Sequence, residues 1–265
     1  MKSLFKYRAD IGNHSFDILE NDRFYFCAPE YFNDPFDAAI PFDYSKVSSG
    51  YLKSMVKRNS KNMIGDRESR RKKGKELHKR MVSAKSNFGS RGYQAQIDFI
   101  NKNIGIFCLS SESKNLLLWA HYANSHRGFC IEFDKEKLIR YINEENRNTL
   151  YGQKSLLQFE QVIYSKTFPL INPETFSEPD KFTQPLITKS IDWKYEEEFR
   201  IIYLKGANRH YEIDDSIISG VYLGLKASAD TEKHIKQCLE KRKSKIPLFK
   251  AKMKQKEYAL EFVKI

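Results

Sequence analysis

The chain lacks any long hydrophobic run, and it lacks the short motifs that identify the commonest enzyme classes. No stretch of about 18 apolar residues is present, so no transmembrane helix is predicted. The start MKSLFKYRAD has no hydrophobic stretch able to act as a signal peptide. We therefore expect a cytoplasmic protein without a membrane partner. No P-loop, GxGxxG, HExxH or GxSxG sequence occurs, which leaves kinase-like, Rossmann, zincin and α/β-hydrolase functions unsupported.

Cysteine is scarce and scattered. The four residues show no CxxC or Cys/His ligand spacing, and the first three lie in strand-like apolar runs. We therefore predict small buried side chains instead of disulfides or zinc ligands, and the chain has no recognisable metal motif. The residues are Cys27, Cys108, Cys130 and Cys238.

Negative charge is in the minority, because 34 Asp and Glu residues stand against 46 Lys and Arg residues. The resulting net charge of +12 suits contact with a polyanion such as nucleic acid. Basic residues are concentrated between about 44 and 101, a polar segment that contains KNMIGDRESRRKKGKELHKR. We predict a helical insertion whose charge either covers solvated faces or grips nucleic acid. The segment lacks interleaved aromatic residues that could stack on bases.

Core-forming residues are plentiful, since 40% of the 265 residues are hydrophobic and 14% are aromatic. Strand and helix patterns do not alternate strictly, so we predict an α+β fold with mixed, mainly antiparallel sheets and flanking helices. A single domain, 1–265, is expected to carry the helical insertion. Predicted strands include LFKYR (4–8), NIGIFCLSS (103–111), GFCIEFD (128–134) and EEFRIIYL (197–204).

The turn FNDPFD (32–37) brings Asn33, Asp34 and Asp37 close together. In one interpretation the side chain of Asn33 or Asp34 caps neighbouring backbone N–H groups in an Asx-type turn, and Pro35 fixes the next φ. In the other, the turn closes over a ligand, and Asn33 or Asp37 supplies hydrogen bonds to a sugar or an amide. The sequence leaves both interpretations open.

The predicted helix KNLLLWAHYAN (114–124) carries Leu118, His121 and Tyr122 on one face, with Trp119 at its edge. A histidine beside aromatic residues is typical of a core or boundary position. Alternatively, His121 contacts a ligand as a base or proton carrier, because histidine changes its charge near neutral pH.

The stretch WKYEEEFR places three glutamates before a buried strand in a basic chain. On an extended chain Glu196, Glu198 and Arg200 alternate onto one face, whereas Glu197 faces away. If Glu196 precedes the strand, only Glu198 and Arg200 share a direction. An ion pair between them on an exposed face would stabilise little, but the nearby aromatic residues predict that the segment is covered. Covered carboxylates need partners, and a pair suggests a site that binds hydroxyls or stabilises a developing cation.

Taken together, these segments resemble an uncharacterised bacterial family, domain-of-unknown-function family 2971. The matching features are LFKYR followed by YFNDPFD, then CLSSESKNLLLWAHYANSHRGFCIEFD, then WKYEEEFR with an apolar strand after it. The resemblance runs over most of the chain, and the basic region is its least distinctive part. The family itself implies no activity.

A more distant resemblance is to the ADP-ribosyltransferases, including the branch that modifies nucleic acids. These enzymes have an Arg or His on an early strand, then a serine- or tyrosine-bearing strand end, then a carboxylate motif of ExE or QxE type. The serine motif here reads LSSES rather than Ser-Thr-Ser, and Lys6 is an alternative first-motif residue. The corresponding residues, in the same order, are Arg8, Ser110 with Ser111, and Glu196 with Glu198.

The resemblance implies that NAD is the substrate. Glu198 would hold the ribose and stabilise the cation that develops as nicotinamide leaves, while Glu196 would orient or deprotonate the acceptor. Arg8 would contact the cofactor phosphates or the adenosine ribose, and Ser110 would position the nicotinamide ribose. Tyr122 or Trp119 would stack on nicotinamide. The full set of expected NAD-binding residues is Arg8, Ser110, Ser111, Asn33, Trp119, His121 and Tyr122.

We therefore expect an NAD-dependent ADP-ribosyltransferase-like protein that modifies a nucleic acid or protein target, as a toxin or phage-defence effector. An alternative is a metal-dependent nuclease in which Asp34, Asp37 and Glu198 hold Mg²⁺. A third is a non-catalytic nucleic-acid-binding module, in which the glutamates are structural and affinity falls steeply with salt.

Overall fold

The computed structural model describes residues 2–12, 14–43, 47–60, 65–83, 88–148, 157–174 and 179–265. The strands are β1 (Ser3–Arg8), β2 (Arg23–Phe26), β3 (Gly105–Ser110), β4 (Phe129–Asp134), β5 (Leu157–Gln161), β6 (Ile163–Ser165), β7 (Thr188–Ser190), β8 (Glu198–Tyr203), β9 (Arg209–Glu212), β10 (Ile218–Leu223), β11 (Leu248–Met253) and β12 (Leu260–Lys264). The helices are α1 (Asp17–Glu20), α2 (Ser49–Ser60), α3 (Arg67–Ser83), α4 (Phe88–Asn103), α5 (Leu116–Tyr122), α6 (Lys135–Asn148), α7 (Pro179–Ile187) and α8 (Ala229–Glu240).

The chain divides into two compact units. Unit 1 comprises residues 1–32, 101–164 and 191–265, and unit 2 comprises residues 33–100 and 165–190. The expectation of one domain with an insertion stays a prediction.

Unit 1 contains an eight-stranded sheet in the order β12-β11-β10-β4-β1-β3-β8-β5. Only the β10–β11 pair is parallel, and the other neighbours in this sheet run antiparallel. Strands β2 and β9 form a separate antiparallel pair in the same unit. The predicted α+β fold with a mixed, mainly antiparallel sheet and flanking helices is therefore confirmed.

The two faces of the large sheet carry different hydrophobic cores. One face, here called the α1 face, packs Leu4, Phe107 and Phe199 with apolar residues of α1, α6 and α8. The other, here called the α5 face, packs Phe5 and Tyr7 with Leu118 and Trp119 of α5. Because strand residues alternate between faces, β1 sends Leu4 to one core and Phe5 to the other. Burial on both faces explains why β4, FCIEFD, reads as a nearly continuous apolar run.

Unit 2 contains α2 and α3, which meet through a small apolar cluster. Val47, Leu52 and Val56 are buried there, and Tyr51, Met55 and Leu77 pack against them. The helical character of the basic segment thus agrees with its sequence. Within the predicted insertion, residues 44–46, 61–64 and 84–87 lie outside the described residues.

The described part of the chain contains no helix long and apolar enough to cross a membrane. All four cysteines are free thiols, which agrees with the prediction that they form no disulfide. Cys130 and Cys238 are buried as expected, whereas Cys27 and Cys108 are only half-buried.

Gly128 allows a close approach between the ends of β4 and β1. A Cβ atom at this position would lie 2.0 Å from the carbonyl oxygen of Arg8, and backbone cannot move aside as a side chain can. We predict that Gly128→Ala lowers the free energy of unfolding by about 3 kcal/mol or more, measured by urea unfolding. The control is Gly50→Ala in α2, where the nearest atom would be 3.6 Å away. That change should be neutral or stabilising, and an equal loss in both variants would contradict the prediction.

Candidate functional site

The carboxylate of Glu198 forms a buried ion pair with the guanidinium of Arg200. Nε of Arg200 donates to Oε1 at 2.9 Å and Nη2 donates to Oε2 at 3.0 Å, so the pairing is bidentate. Arg200 is fully buried and Glu198 is 4% exposed. The guanidinium also lies 5.7 Å from the ring centroid of Phe32. The pair therefore differs from the exposed pair considered from the sequence, and the covering predicted from the nearby aromatic residues is present.

The register of β8 fixes which residues share a face with this pair. Ser110 of β3 stands opposite Glu198, and Cys108 stands opposite Arg200. Phe5 of β1 is paired with Ser110, so these side chains lie on the α5 face. Phe199 and Ile201, which alternate with them, enter the core of the α1 face.

Glu196 does not belong to the strand. It ends the 3-10 helix Ile191–Glu196, and Glu197 turns into β8 with a left-handed φ of 43°. The extended alternation of Glu196 with Glu198 is therefore wrong, and the other alternative holds, in which only Glu198 and Arg200 share a strand direction. Backbone contacts explain the turn, because Glu197 N–H donates to the Lys194 carbonyl and the Glu197 carbonyl accepts from Ser111 N–H.

Glu196 and Ser110 are nevertheless brought together. The hydroxyl of Ser110 donates to the backbone carbonyl of Glu196 at 2.6 Å and accepts from Glu112 N–H at 2.9 Å. The phenol of Tyr122 donates to Oε1 of Glu196 at 2.6 Å. Asn115, which caps α5, also donates to the carbonyl of Tyr195 at 2.9 Å. We call Ser110, Tyr122, Glu196, Glu198 and Arg200 the carboxylate cluster.

Arg8 lies apart from the carboxylate cluster. It pairs with Phe129 at the end of β1, on the α1 face, whereas Ser110 and Glu198 lie on the α5 face. The sheet therefore separates the expected first motif from the other two. Burial lowers the pKa of Arg8 to about 10, against the opposing influence of Asp17. Two of its nitrogen atoms, Nε and Nη2, are buried without a hydrogen-bond partner among the described residues.

Lys6 shares the α1 face with Arg8. Its ammonium donates to the backbone carbonyl of Cys108 at 2.8 Å and lies 4.5 Å from the ring centroid of Phe107. Burial, assisted by the charge of Arg8, lowers the pKa of Lys6 to about 8. Lys6 and Arg8 are the two candidates for the first motif. Both therefore lie on the face of the sheet opposite the carboxylate cluster.

The other expected NAD-binding residues have varied environments. Trp119 is fully buried, stacks edge-on against Tyr7 at 5.2 Å and donates to the Ser113 carbonyl, so its ring belongs to the core and cannot stack on nicotinamide. His121 is exposed rather than at the core boundary. Ser111 is half-buried, and Asn33 is exposed and belongs to unit 2.

Asp34 and Asp37 are both buried in unit 2. Oδ1 of Asp34 accepts from Phe36 N–H at 2.9 Å, as in the predicted Asx-type turn. Oδ2 of Asp37 lies 3.5 Å from the ammonium of Lys189, and both side chains are almost completely covered. These contacts give each carboxylate a structural role. Neither belongs to a group of three potential metal ligands among the described residues.

A second candidate site is a groove between α2 and α3 in unit 2, with a volume of about 650 Å³. Six of its nine lining residues are Lys or Arg, and no acidic residue lines it in the described part of unit 2. Nε2 of His78 is buried there without a hydrogen-bond partner among the described residues. We call it the cationic groove, lined by Lys53, Val56, Lys57, Arg67, Arg70, Arg71, Gly74, Lys75 and His78.

The contribution of the buried Glu198–Arg200 pair to stability can be tested by mutation. Glu198→Gln removes the carboxylate that pairs through both oxygens with the buried guanidinium of Arg200, so we predict a loss of about 3–5 kcal/mol in the free energy of unfolding. The matched control is Glu257→Gln, which breaks an exposed pair with Lys254 and should cost less than about 1 kcal/mol. Urea unfolding measures both changes. Equal, small losses would show that the pair at Glu198 contributes no more than a surface pair.

Comparison with known protein families gives a match to part of the chain. Residues 118–201 match a family described as "Protein of unknown function (DUF2971)". No curated protein and no solved structure matches the chain. The matched region begins in α5 and ends in β8, so it includes Tyr122, Glu196, Glu198 and Arg200 but neither Arg8 nor the cationic groove. The similarity to this family is thus supported over the segment that carries most of the carboxylate cluster.

Proposed function

We propose that the protein binds nucleic acid through the cationic groove, by contacts to the phosphate backbone. The observation that carries this proposal is the lining of the groove, with six cationic side chains and no acidic one among the described residues. Lys and Arg near phosphates release condensed counterions, which makes binding favourable at low salt. The lining contains no Phe, Tyr or Trp, so base stacking is not expected and sequence preference should be weak.

The arrangement of charge distinguishes this groove from an ordinary solvated helix face. Arg67, Arg71 and Lys75 follow one another at four-residue spacing on α3, and Lys53 and Lys57 have the same spacing on α2. Like charges at this spacing repel and destabilise a helix by roughly 0.2–0.5 kcal/mol per pair. A bound polyanion would remove that repulsion. This concentration of like charge along the groove supports a binding role over a merely solubilising one.

The salt dependence of binding tests the proposal. We predict that labelled single-stranded RNA, single-stranded DNA and duplex DNA bind in fluorescence anisotropy, with affinity falling steeply as salt rises. The triple variant Arg67→Gln/Arg71→Gln/Lys75→Gln should reduce the slope of log affinity against log salt by roughly 2–3. Its affinity at low salt should fall at least tenfold.

The control variant removes the same net charge from exposed lysines of unit 1: Lys233, Lys245 and Lys252, each changed to Gln. This variant should change affinity by less than about twofold, because none of the three lysines lines the groove. Equal weakening by the two triple variants would show that net charge, not the groove, causes binding. Absence of binding to all three ligands would also overturn the proposal.

As a second function we propose NAD-dependent ADP-ribosyl transfer at the carboxylate cluster, in the cytoplasm and with a nucleic acid as the favoured acceptor. The observation in its favour is that Ser110 and Glu196 are in contact and Glu198 lies opposite Ser110 in the register. These are the second and third elements that the ADP-ribosyltransferase resemblance implies. A carboxylate held beside a ribose stabilises the positive charge that develops as nicotinamide departs. Modification of cellular nucleic acid would make the protein a toxin or a phage-defence effector.

The separation of Arg8 changes the residues on which this second proposal depends. Arg8 has no role in it, and of the two aromatic residues expected to stack on nicotinamide only Tyr122 is retained, because Trp119 is fully buried. Removal of Glu198 would also break the ion pair with Arg200, so Glu196 is the carboxylate chosen to test the chemistry.

A nicotinamide-release assay tests the second proposal. We predict release from NAD in the presence of cellular RNA, DNA or protein, and at least a 100-fold loss of rate in Glu196→Gln, because the acceptor would lose the carboxylate that orients or deprotonates it. Glu257→Gln is the control and should retain the wild-type rate. Circular dichroism must show that both variants are folded. If wild type neither binds NAD nor releases nicotinamide with any acceptor, the second proposal fails while the nucleic-acid proposal stands.

A further inference from the structure

A cluster of two histidines and an aspartate lies in unit 1, outside both sites described above. His14 precedes α1, Asp17 is the first residue of α1, and His210 comes from β9. Nδ1 of His14 lies 3.0 Å from Oδ2 of Asp17, and Nε2 of His210 lies 2.9 Å from the same oxygen. The two ring nitrogens are 3.2 Å apart. Three atoms able to ligate a metal therefore form a compact triangle.

Hydrogen bonds alone cannot link all three pairs of atoms in this triangle. If each imidazole donates its N–H to Asp17, the ring nitrogens of His14 and His210 are two donors facing each other at 3.2 Å. If one imidazole instead accepts from the other, it can no longer donate to Asp17. A cation bound by the unprotonated nitrogens and the carboxylate oxygen satisfies all three atoms at once.

The dimensions fit a small divalent cation. Bonds of about 2.0–2.1 Å to nitrogen and oxygen give ligand-to-ligand distances of about 3.0 Å for an octahedral face and about 3.3 Å for a tetrahedral edge. The three distances in the cluster, 2.9, 3.0 and 3.2 Å, are close to both. Two imidazoles favour a late first-row ion such as Zn²⁺ over Mg²⁺ or Ca²⁺, which prefer oxygen ligands.

Neighbouring residues orient the ligands. Oδ1 of Asp17 accepts from Arg23 and Asn21, each at 2.9 Å, which leaves Oδ2 directed to the histidines. The ring of Tyr25 stacks on His14 with centroids 4.3 Å apart. Such outer contacts hold metal ligands in position. The positive charge of Arg23 opposes a cation, so affinity depends on the two imidazoles rather than on charge alone.

We propose that His14, Asp17 and His210 form a binding site for a late first-row divalent cation, represented by Zn²⁺. Three protein ligands leave at least one coordination position for water, and the side chains of His14 and His210 are 40% and 31% exposed, so the ion has access from solvent. The site does not depend on either proposed function.

A second cluster provides the internal comparison. Glu20, His234 and Cys238 also bring three potential ligand atoms within 4.8 Å of one another, and Nε2 of His234 lies 2.8 Å from Oε1 of Glu20. Cys238 is buried, and it would have to lose its proton to bind a metal. His234→Ala removes a histidine from this second cluster, so it is the matched control for the two histidine variants of the first.

Zinc titration of the full chain, after removal of metal by chelator, tests the proposal. We expect one Zn²⁺ per chain by isothermal titration calorimetry, a rise in Tm on zinc addition, and at least a tenfold loss of affinity in His14→Ala and in His210→Ala. His234→Ala should bind as wild type does. Substitution of Co²⁺ into wild type should give visible absorption without a thiolate charge-transfer band, a readout that does not depend on whether any variant folds.

Three results would overturn the proposal. The first is the absence of stoichiometric binding in wild type. The second is unchanged affinity in folded His14→Ala and His210→Ala. The third is a thiolate charge-transfer band together with loss of binding in His234→Ala, which would assign the ion to the cluster that contains Cys238.

Discussion

The bidentate pair between Glu198 and Arg200 is the interaction on which the geometry of the carboxylate cluster depends. A guanidinium without solvent contact needs a counter-charge, and removing that charge costs more than a surface pair gains. The pair lies on β8, which is hydrogen-bonded to β3 on one side and to β5 on the other. The phenolic oxygen of Tyr164 accepts from the Glu198 N–H, which fixes the backbone where the strand begins. The register that sets Ser110 opposite Glu198 is therefore constrained by both backbone and charge.

The sidedness of the sheet decides which sequence motifs can act together. β1 alternates Lys6 and Arg8 with Phe5 and Tyr7, so one set of side chains enters the α1 face and the other enters the α5 face. A linear motif search detects only the order of Arg8, Ser110 and Glu198 along the chain. Order is a weak constraint, because a shift of one residue in a strand moves a side chain to the opposite face. The three-motif resemblance thus reduces to two motifs that share a face.

Much of the fold follows from local patterns, whereas the site depends on contacts that no local pattern contains. The strands and helices were predictable because apolar periodicity reports directly on burial, as in the continuous run of β4. The position of Glu196 could not be predicted from a local pattern, because the turn at Glu197 depends on its backbone contact with Ser111. The histidine cluster was missed because His14 and His210 are 196 residues apart. Only the spacing of His14 and Asp17, three residues apart at a helix start, gave a local signal.

Like charges are concentrated in two places in this chain, the buried carboxylates and the cationic groove, and their surroundings differ. Glu196 and Glu198 are buried, and each has a specific partner, Tyr122 for the first and Arg200 for the second. A hydrogen bond at Glu196 and an ion pair at Glu198 therefore stabilise the two carboxylates in their buried positions. The lysines and arginines of the cationic groove are instead gathered along one surface, and its described lining contains no acidic residue. In the nucleic-acid proposal, the phosphates of a bound polyanion would supply the opposite charge to the groove.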